Sequence, residues 1–127
     1  MMGQYVDEFD ERDALAPLMW CFLGVVSDPL DHYLKGILPL GKPGSCGGDP
    51  GWGIYTDDMD NNERFDDQGR RMYFAWTDAE ISGLTPNAAW YSEDVVRYHL
   101  RRVFENFVAA HPQRKAEVDA LLLKYKL

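Results

Sequence analysis

The strongest constraint on the fold is a helical pattern of apolar residues in the last third of the chain. Ser92 is a favourable N-cap, and the acidic residues after it suit the positive end of a helix dipole. Apolar residues then recur on one face, at Val96, Leu100, Val103, Phe104 and Phe107. Pro112 predicts a break after His111 and a second helix, whose apolar residues are Val118, Leu121, Leu122 and Tyr125. We therefore expect the chain to end in two helices.

Aromatic and β-branched residues in the middle of the chain predict strands. Two segments have this composition, Trp52–Thr56 and Arg71–Thr77, and a third short strand is expected near Ala89–Tyr91. Two clear strands joined by one loop suggest an antiparallel hairpin. The two C-terminal helices need a flat apolar surface to cover, and the sheet provides one. The prediction is an α+β fold, in which a small antiparallel sheet packs against helices.

The N-terminal half is less regular. The apolar run Leu18–Leu23 fits a buried helix or a buried strand, and Pro17 suits the first turn of a helix. Ser27–Pro29 predicts the start of a short helix through Tyr33 and Leu34. Gly41–Gly53 has six glycines and two prolines in thirteen positions, which predicts a loop. Residues 1–127 are expected to form a single domain, since a chain of this length usually builds one core.

Negative charge is concentrated in the first half of the chain. The net charge is -8, and residues 1–67 carry 14 Asp and Glu against 4 Lys and Arg. Residues 68–127 carry 7 against 9, and only Arg97, Arg101 and Arg102 make a short basic stripe. An acidic surface repels nucleic acid and anionic lipid and attracts basic proteins, although acidic residues also simply keep a domain soluble. The sequence therefore favours a basic protein partner over nucleic acid or a membrane.

The sequence predicts a cytoplasmic protein. Its longest apolar run, Ala14–Val26, has thirteen residues and contains Pro17, whereas a bilayer span needs about 20. The acidic N-terminus lacks the basic region of a signal peptide. Cys21 and Cys46 form no CxxC pair, and free thiols fit a reducing compartment.

Two ligand-binding motifs lack residues that their chemistry requires. Gly36–Lys42 has the spacing of a phosphate-binding loop, but Pro43 stands where a magnesium-binding Ser or Thr is needed. Asp58–Asn62 opens like a calcium loop. Glu63 stands where that loop needs its glycine, and Gly69 stands where it needs its bidentate glutamate. We therefore predict no cofactor and no dedicated metal site.

No catalytic residue is predicted. His32, His99 and His111 have no metal-ligand spacing with one another or with a cysteine. The loop Asp57–Asp67 contains six carboxylates, which leaves a general acid/base pair open. Such a pair needs one carboxyl in an apolar pocket, and an open acidic loop predicts solvated, ionised groups instead. A small hydrolase using these carboxylates or His99 remains an alternative.

Residues 51–127 carry a resemblance to a known family. The relevant motifs are Gly51–Tyr55 before an acidic loop, Tyr73–Phe74 before Asp78, Trp90–Val96, Phe104–Pro112 and Lys115–Leu123. This part of the chain resembles the C-terminal region of the ribonuclease-toxin immunity proteins of contact-dependent growth inhibition (CdiI). The resemblance implies a non-catalytic antitoxin. Its partner would be the cognate toxin domain, a nuclease that forms the C-terminal part of a large effector delivered by sibling cells.

An inhibitor of a ribonuclease benefits from carboxylates, because ribonuclease clefts present basic residues to RNA phosphates. Trp52, Tyr55 or Phe65 is predicted as the aromatic anchor that binding hot spots usually contain. The remaining alternatives are an adaptor or immunity protein for another basic partner such as a DNase, and a structural subunit with a broad apolar face. The predicted partner-binding carboxylates are Asp57, Asp58, Asp60, Glu63, Asp66 and Asp67.

Overall fold

A computed structural model describes residues 11–26, 29–48, 51–58 and 60–127 of the chain, without the side chains of residues 11–14. The described part contains a four-stranded antiparallel sheet and helices, which confirms the predicted α+β class. Single 3-10 turns lie at Leu34–Gly36 and Pro112–Arg114. The helices and strands, in chain order, are α1 (Glu11–Val25), β1 (Ser45–Gly48), β2 (Trp52–Tyr55), β3 (Tyr73–Thr77), α2 (Ala79–Ser82), β4 (Ala88–Tyr91), α3 (Glu93–Ala110) and α4 (Lys115–Lys124).

The sheet has the strand order β1-β2-β3-β4, and every neighbouring pair is antiparallel. Ala75 in the centre of the sheet lies opposite Ile54 on one side and Ala89 on the other. The predicted hairpin of the two aromatic segments is thus confirmed as β2 and β3. The predicted third strand is confirmed as β4.

Strand β1 lies inside the segment that was predicted to be only a loop, so that prediction is wrong. Ser45 and Gly48 pair with Tyr55 and Trp52. The glycines here serve close approach between chain segments rather than turns alone. A Cβ atom on Gly44 would overlap the carbonyl oxygen of Gly36, for example. Pairing with β2 makes this glycine-rich segment a strand despite its low strand propensity.

Helix α1, rather than the C-terminal helix pair, is the main cover of the sheet. It packs against β2, β3 and β4, while α3 packs against α1 and α4. The expectation that the two C-terminal helices cover the sheet is therefore wrong. Helix α1 takes this position because its buried residues give it enough apolar surface to contact both the sheet and α3. These residues are Leu18, Cys21, Phe22 and Val25.

Two local predictions for the N-terminal half also change. Pro17 lies in the interior of α1, which begins at Glu11 and not at the proline. The proline removes one backbone hydrogen bond from the helix, and its ring is buried. The predicted helix start at Ser27 and Asp28 lies outside the described residues. Leu34 begins a single 3-10 turn in place of the expected helix through that position.

The C-terminal prediction is confirmed. The Ser92 hydroxyl accepts a hydrogen bond from the amide of Val95 at 3.2 Å and so caps α3. His111 ends this helix, and Pro112 opens the 3-10 turn that leads into α4. The residues of the two helices that are buried in the core are Val96, Leu100, Phe104, Val118 and Leu121.

Candidate partner-binding surface

The described residues from Asp57 to Arg71 form a hairpin between β2 and β3, which we call the acidic hairpin. Isolated antiparallel bridges join Asp57 to Glu63 and Phe65 to Arg71. The amide of Asp66 donates to the carbonyl of Arg70 at 2.8 Å. The predicted polar loop is therefore an organised structure whose side chains have defined positions.

Two of its carboxylates build the turns. Asp58 Oδ1 accepts from the amides of Asp60 and Asn62 at 2.8 and 3.0 Å. Asp66 Oδ1 accepts from the amides of Gln68 and Arg70, both at 2.9 Å. Backbone hydrogen bonds, from Asn62 and Arg70 respectively, are the largest cause lowering the pKa of Asp58 and of Asp66. Both groups are therefore ionised at neutral pH, as expected for carboxylates that accept amide hydrogen bonds.

Two arginines attach the acidic hairpin to the rest of the molecule. Arg70 donates from Nε to Asp66 at 3.1 Å and from its terminal nitrogens to both oxygens of Asp94 at 2.9 Å. Arg71 donates to Glu63 at 2.8 Å and to the carbonyl of Gly41 at 3.0 Å. The hydrogen bonds from Arg70 are also the main cause lowering the pKa of Asp94. These contacts tie the hairpin to the first turn of α3 and to the loop before β1.

The six predicted carboxylates therefore divide into two groups. Asp58, Glu63 and Asp66 have intramolecular partners that shape the hairpin. Within the part of the chain that the structure describes, Asp57, Asp60 and Asp67 form no ion pair. Asp60 and Asp67 are exposed and Asp57 is half-buried. With six carboxylates against three arginines, the hairpin carries a net charge of -3, which a positively charged surface would complement.

The sheet has two unlike faces. On the side that faces α1, which we call the inner face, Tyr73, Ala75 and Thr77 of β3 are fully buried. The opposite side, which we call the outer face, is only partly covered: Phe74 and Trp76 are half-buried, and no described helix packs there as α1 does on the inner side. The outer face consists of Gly53, Tyr55, Phe74, Trp76, Ala88 and Trp90.

The acidic hairpin covers one end of the outer face. The Arg64 guanidinium carbon lies 5.1 Å from the centre of the Trp90 ring, a cation–π contact. The Phe74 ring lies 5.2 Å from the same ring. Trp90 and Met72 are buried although neither packs in the main core beside α1. The hairpin thus closes a small second apolar cluster and leaves the rest of the outer face open.

Trp52 cannot be the predicted aromatic anchor, because it belongs to the inner face. It is 4% exposed, and its indole lies so close to α1 that a Cβ on Gly24 would be 2.5 Å from Nε1. Tyr55 does lie on the outer face, and Phe65 belongs to the acidic hairpin. Phe65 is 49% exposed, with the Arg71 guanidinium 5.2 Å from its ring centre.

Two further residues of this surface, Phe74 and Trp76, were missed as site candidates. The sequence analysis predicts a strand for both residues but does not predict which face of the sheet they occupy. The signal was present in the sequence, because Met72, Phe74 and Trp76 alternate with a second apolar set. A strand that is apolar on both faces needs cover on both sides.

A groove lies elsewhere, between α3 and residues 125–127. It has a volume of about 550 Å³, and Arg97, Tyr98, Arg101 and Lys126 are among its lining residues. Arg97 and Arg101 donate to the carbonyl oxygens of Lys126 and Leu127 at 2.9 and 2.6 Å, so both arginines have structural partners. No residue of the acidic hairpin lines it.

Neither a metal cluster nor a membrane span is found in the described part of the chain. There, no group of three or more His, Cys, Asp or Glu side chains is arranged to hold a metal ion. No described helix combines the length and the apolar character needed to cross a bilayer. Comparisons with protein families, with curated proteins and with solved structures find no match to this chain.

Proposed function

We propose that this protein is a cytoplasmic immunity protein of a contact-dependent growth inhibition system. It binds the cognate C-terminal nuclease domain of the effector, a ribonuclease, and covers its basic active-site cleft. The observation that carries the proposal is the ordered acidic hairpin, with a net charge of -3 and three carboxylates, Asp57, Asp60 and Asp67, whose side chains have no described hydrogen bond or ion pair. A surface of this kind complements a cleft that holds RNA phosphates.

The order of the hairpin supports tight binding. Its turns are closed by Asp58 and Asp66, and Arg70 fixes it to α3. A preformed surface loses less conformational entropy on association than a flexible loop does. Clustered negative charge also accelerates encounter with a basic partner, which suits an antitoxin that must act before damage occurs.

The carboxylate chemistry favours binding over hydrolysis. A general acid among the carboxylates would need a pKa raised towards neutrality. The pKa values of Asp58, Asp66 and Asp94 are instead lowered, by hydrogen bonds from the backbone or from Arg70. These groups are suited to attract a cation and not to deliver a proton.

The proposal is tested by co-expressing the chain with the toxin domain encoded immediately upstream and measuring RNA cleavage. We expect co-purification of the two proteins and loss of cleavage. The variant Asp60→Asn with Asp67→Asn should weaken binding and flatten its salt dependence, because it removes two unpaired charges. The control variant, Glu105→Gln with Asp119→Asn, removes the same charge from exposed positions on α3 and α4.

Three results would contradict parts of the proposal. Unchanged cleavage, or failure of the proteins to co-purify, contradicts the antitoxin function. Equal binding by the hairpin and control variants contradicts the role of the acidic hairpin. Protection against cleavage of DNA instead of RNA would keep the antitoxin function and correct the toxin's substrate.

A further inference from the structure

The aromatic rings near the acidic hairpin already bind guanidinium groups of the same chain. Arg64 lies over Trp90 at 5.1 Å and Arg71 over Phe65 at 5.2 Å. A planar, weakly hydrated guanidinium stacks on an aromatic ring more favourably than an ammonium does, and it keeps its N–H donors free for carboxylates. The acidic hairpin and the rings in contact with it therefore combine the two groups that recognise arginine.

Two rings of the outer face have no such partner among the described residues. Tyr55 and Trp76 are half-buried, and no described cation lies over either ring. The Tyr55 ring lies across Gly53, where a Cβ atom would come within 2.5 Å of Tyr55 Oη. Gly53 is the register partner of Trp76. The Tyr55 ring thus lies over the strand position next to Trp76, and we call these two residues the aromatic shelf.

Negative charge flanks the aromatic shelf along both of its strands. β2 runs from Tyr55 into Asp57 and the acidic hairpin. β3 runs from Trp76 into Asp78 and the exposed Glu80. A cation on the rings would have carboxylates near either end of the shelf, so its charge complements the surroundings.

We infer that the aromatic shelf of Tyr55 and Trp76 binds an arginine side chain of a basic protein partner. The guanidinium stacks on the rings, as Arg64 does on Trp90, and its N–H groups face the neighbouring carboxylates. The inference rests on the proposed function, because it makes this arginine part of the toxin surface that the protein covers. It adds a preference for arginine over lysine, which negative charge alone does not produce.

The test compares a labelled hexa-arginine peptide with hexa-lysine of equal charge, using fluorescence anisotropy and the full chain. We expect hexa-arginine to bind roughly threefold to tenfold more tightly. Trp76→Leu should remove this preference while the affinity for hexa-lysine stays unchanged, since no charge is lost. Tyr98→Leu is the matched control. It removes a ring on α3 that already has its own arginine, Arg102, at 5.6 Å, and should leave the preference intact.

A second variant keeps the test independent of the folding of Trp76→Leu. Gly53→Ala places a methyl group where the Tyr55 ring lies, so this ring must move and the preference for arginine should fall. Equal binding of both peptides by the wild type, or an unchanged preference in both variants, overturns the inference. Sedimentation of the wild type as a dimer that Trp76→Leu converts to monomer also overturns it, because the shelf is then a contact between copies.

The inference and the proposed function fail in different ways. Toxin protection that survives Trp76→Leu, with no preference for arginine, overturns the shelf alone. A clear preference for arginine without protection against any nuclease supports the shelf and contradicts the antitoxin function.

Discussion

The inner and outer faces of the sheet are built from the same kinds of residue and are covered in different ways. Along β3, Tyr73 and Ala75 face α1 and are fully buried, whereas Phe74 and Trp76 between them are half-buried. An antiparallel sheet usually packs one face on a core and presents a polar face to water. Here the outer face is aromatic, and the acidic hairpin covers one end of it. The rest of the outer face is therefore a partly exposed aromatic surface.

The interactions that stabilise the two faces also differ. Apolar contacts hold the inner face, because α1 packs on it with Leu18, Phe22 and Val25. Ion pairs attach the acidic hairpin, which covers part of the outer face. Arg70 pairs with Asp66 and Asp94, and Arg71 pairs with Glu63. Exposed ion pairs stabilise a protein by small amounts and are screened by salt. We therefore expect the hairpin to respond to pH and salt under conditions that leave the core intact.

The largest difference between the faces is expected from two neighbouring residues of β2. Ile54→Ala should lower the free energy of unfolding by about 2–5 kcal/mol, since Ile54 is fully buried in the core. Tyr55→Ala on the outer face should cost less than about 1.5 kcal/mol. Urea unfolding followed by circular dichroism measures both losses. Equal losses would show that the outer face is as tightly packed as the inner face.

A smaller effect is expected where α1 meets the inner face. Gly24→Leu should cost about 1–3 kcal/mol, because the added side chain displaces the Trp52 indole from its contact with Gly24. Trp52 fluorescence should shift to the red as the ring becomes exposed. The neighbouring substitution Leu23→Ala is the control, since Leu23 is 77% exposed and should change stability little. A stable Gly24→Leu variant with unshifted fluorescence would contradict the burial of Trp52.

The pH dependence of the hairpin tests the outer side. The pKa of Asp66 is lower in the folded protein than its usual value near 3.9, so its stabilising contribution is complete above about pH 4. That contribution is lost as the pH falls through the lowered pKa. Asp66→Asn should therefore be less stable than the wild type at neutral pH and should lose less stability on acidification. Urea midpoints between about pH 2 and pH 7 would show both effects.

Asp67→Asn is the control for this measurement, because Asp67 is exposed and has no described ion pair. It should keep the slope of the wild type. An identical slope for all three proteins would mean that Asp66 does not hold the hairpin.

Local sequence signals predicted the regular elements because each has a local cause. The Ser92 cap and the apolar spacing of α3 are properties of one helix, and the aromatic composition of β2 and β3 belongs to each strand. Strand β1 has no such cause, since Ser-Cys-Gly-Gly becomes a strand only through pairing with β2. The cover of the sheet by α1 likewise depends on packing between segments far apart in the chain.

The candidate site was predictable in part for the same reason. Its charge could be counted in the sequence, so the acidic segment was identified. Which carboxylates remain free depends on the turns that Asp58 and Asp66 close and on the reach of Arg70 and Arg71. The sequence also could not show that Trp52, and not Tyr55, is the residue buried against α1. An alternating strand with large apolar residues on both sides does not reveal which side faces the core.

The smallest expected effect concerns the two thiols. Burial raises the pKa of Cys21 and of Cys46 to about 12, well above that of an unfolded thiol near 8.5. Their contribution to stability is complete below that unfolded value and declines as the pH rises above it, because only the unfolded state ionises. Iodoacetamide at about pH 8 should therefore label both thiols slowly in the native protein and rapidly in urea. Rapid labelling of native Cys46, which lies on edge strand β1, would show that this edge opens and that the inner face is not uniformly closed.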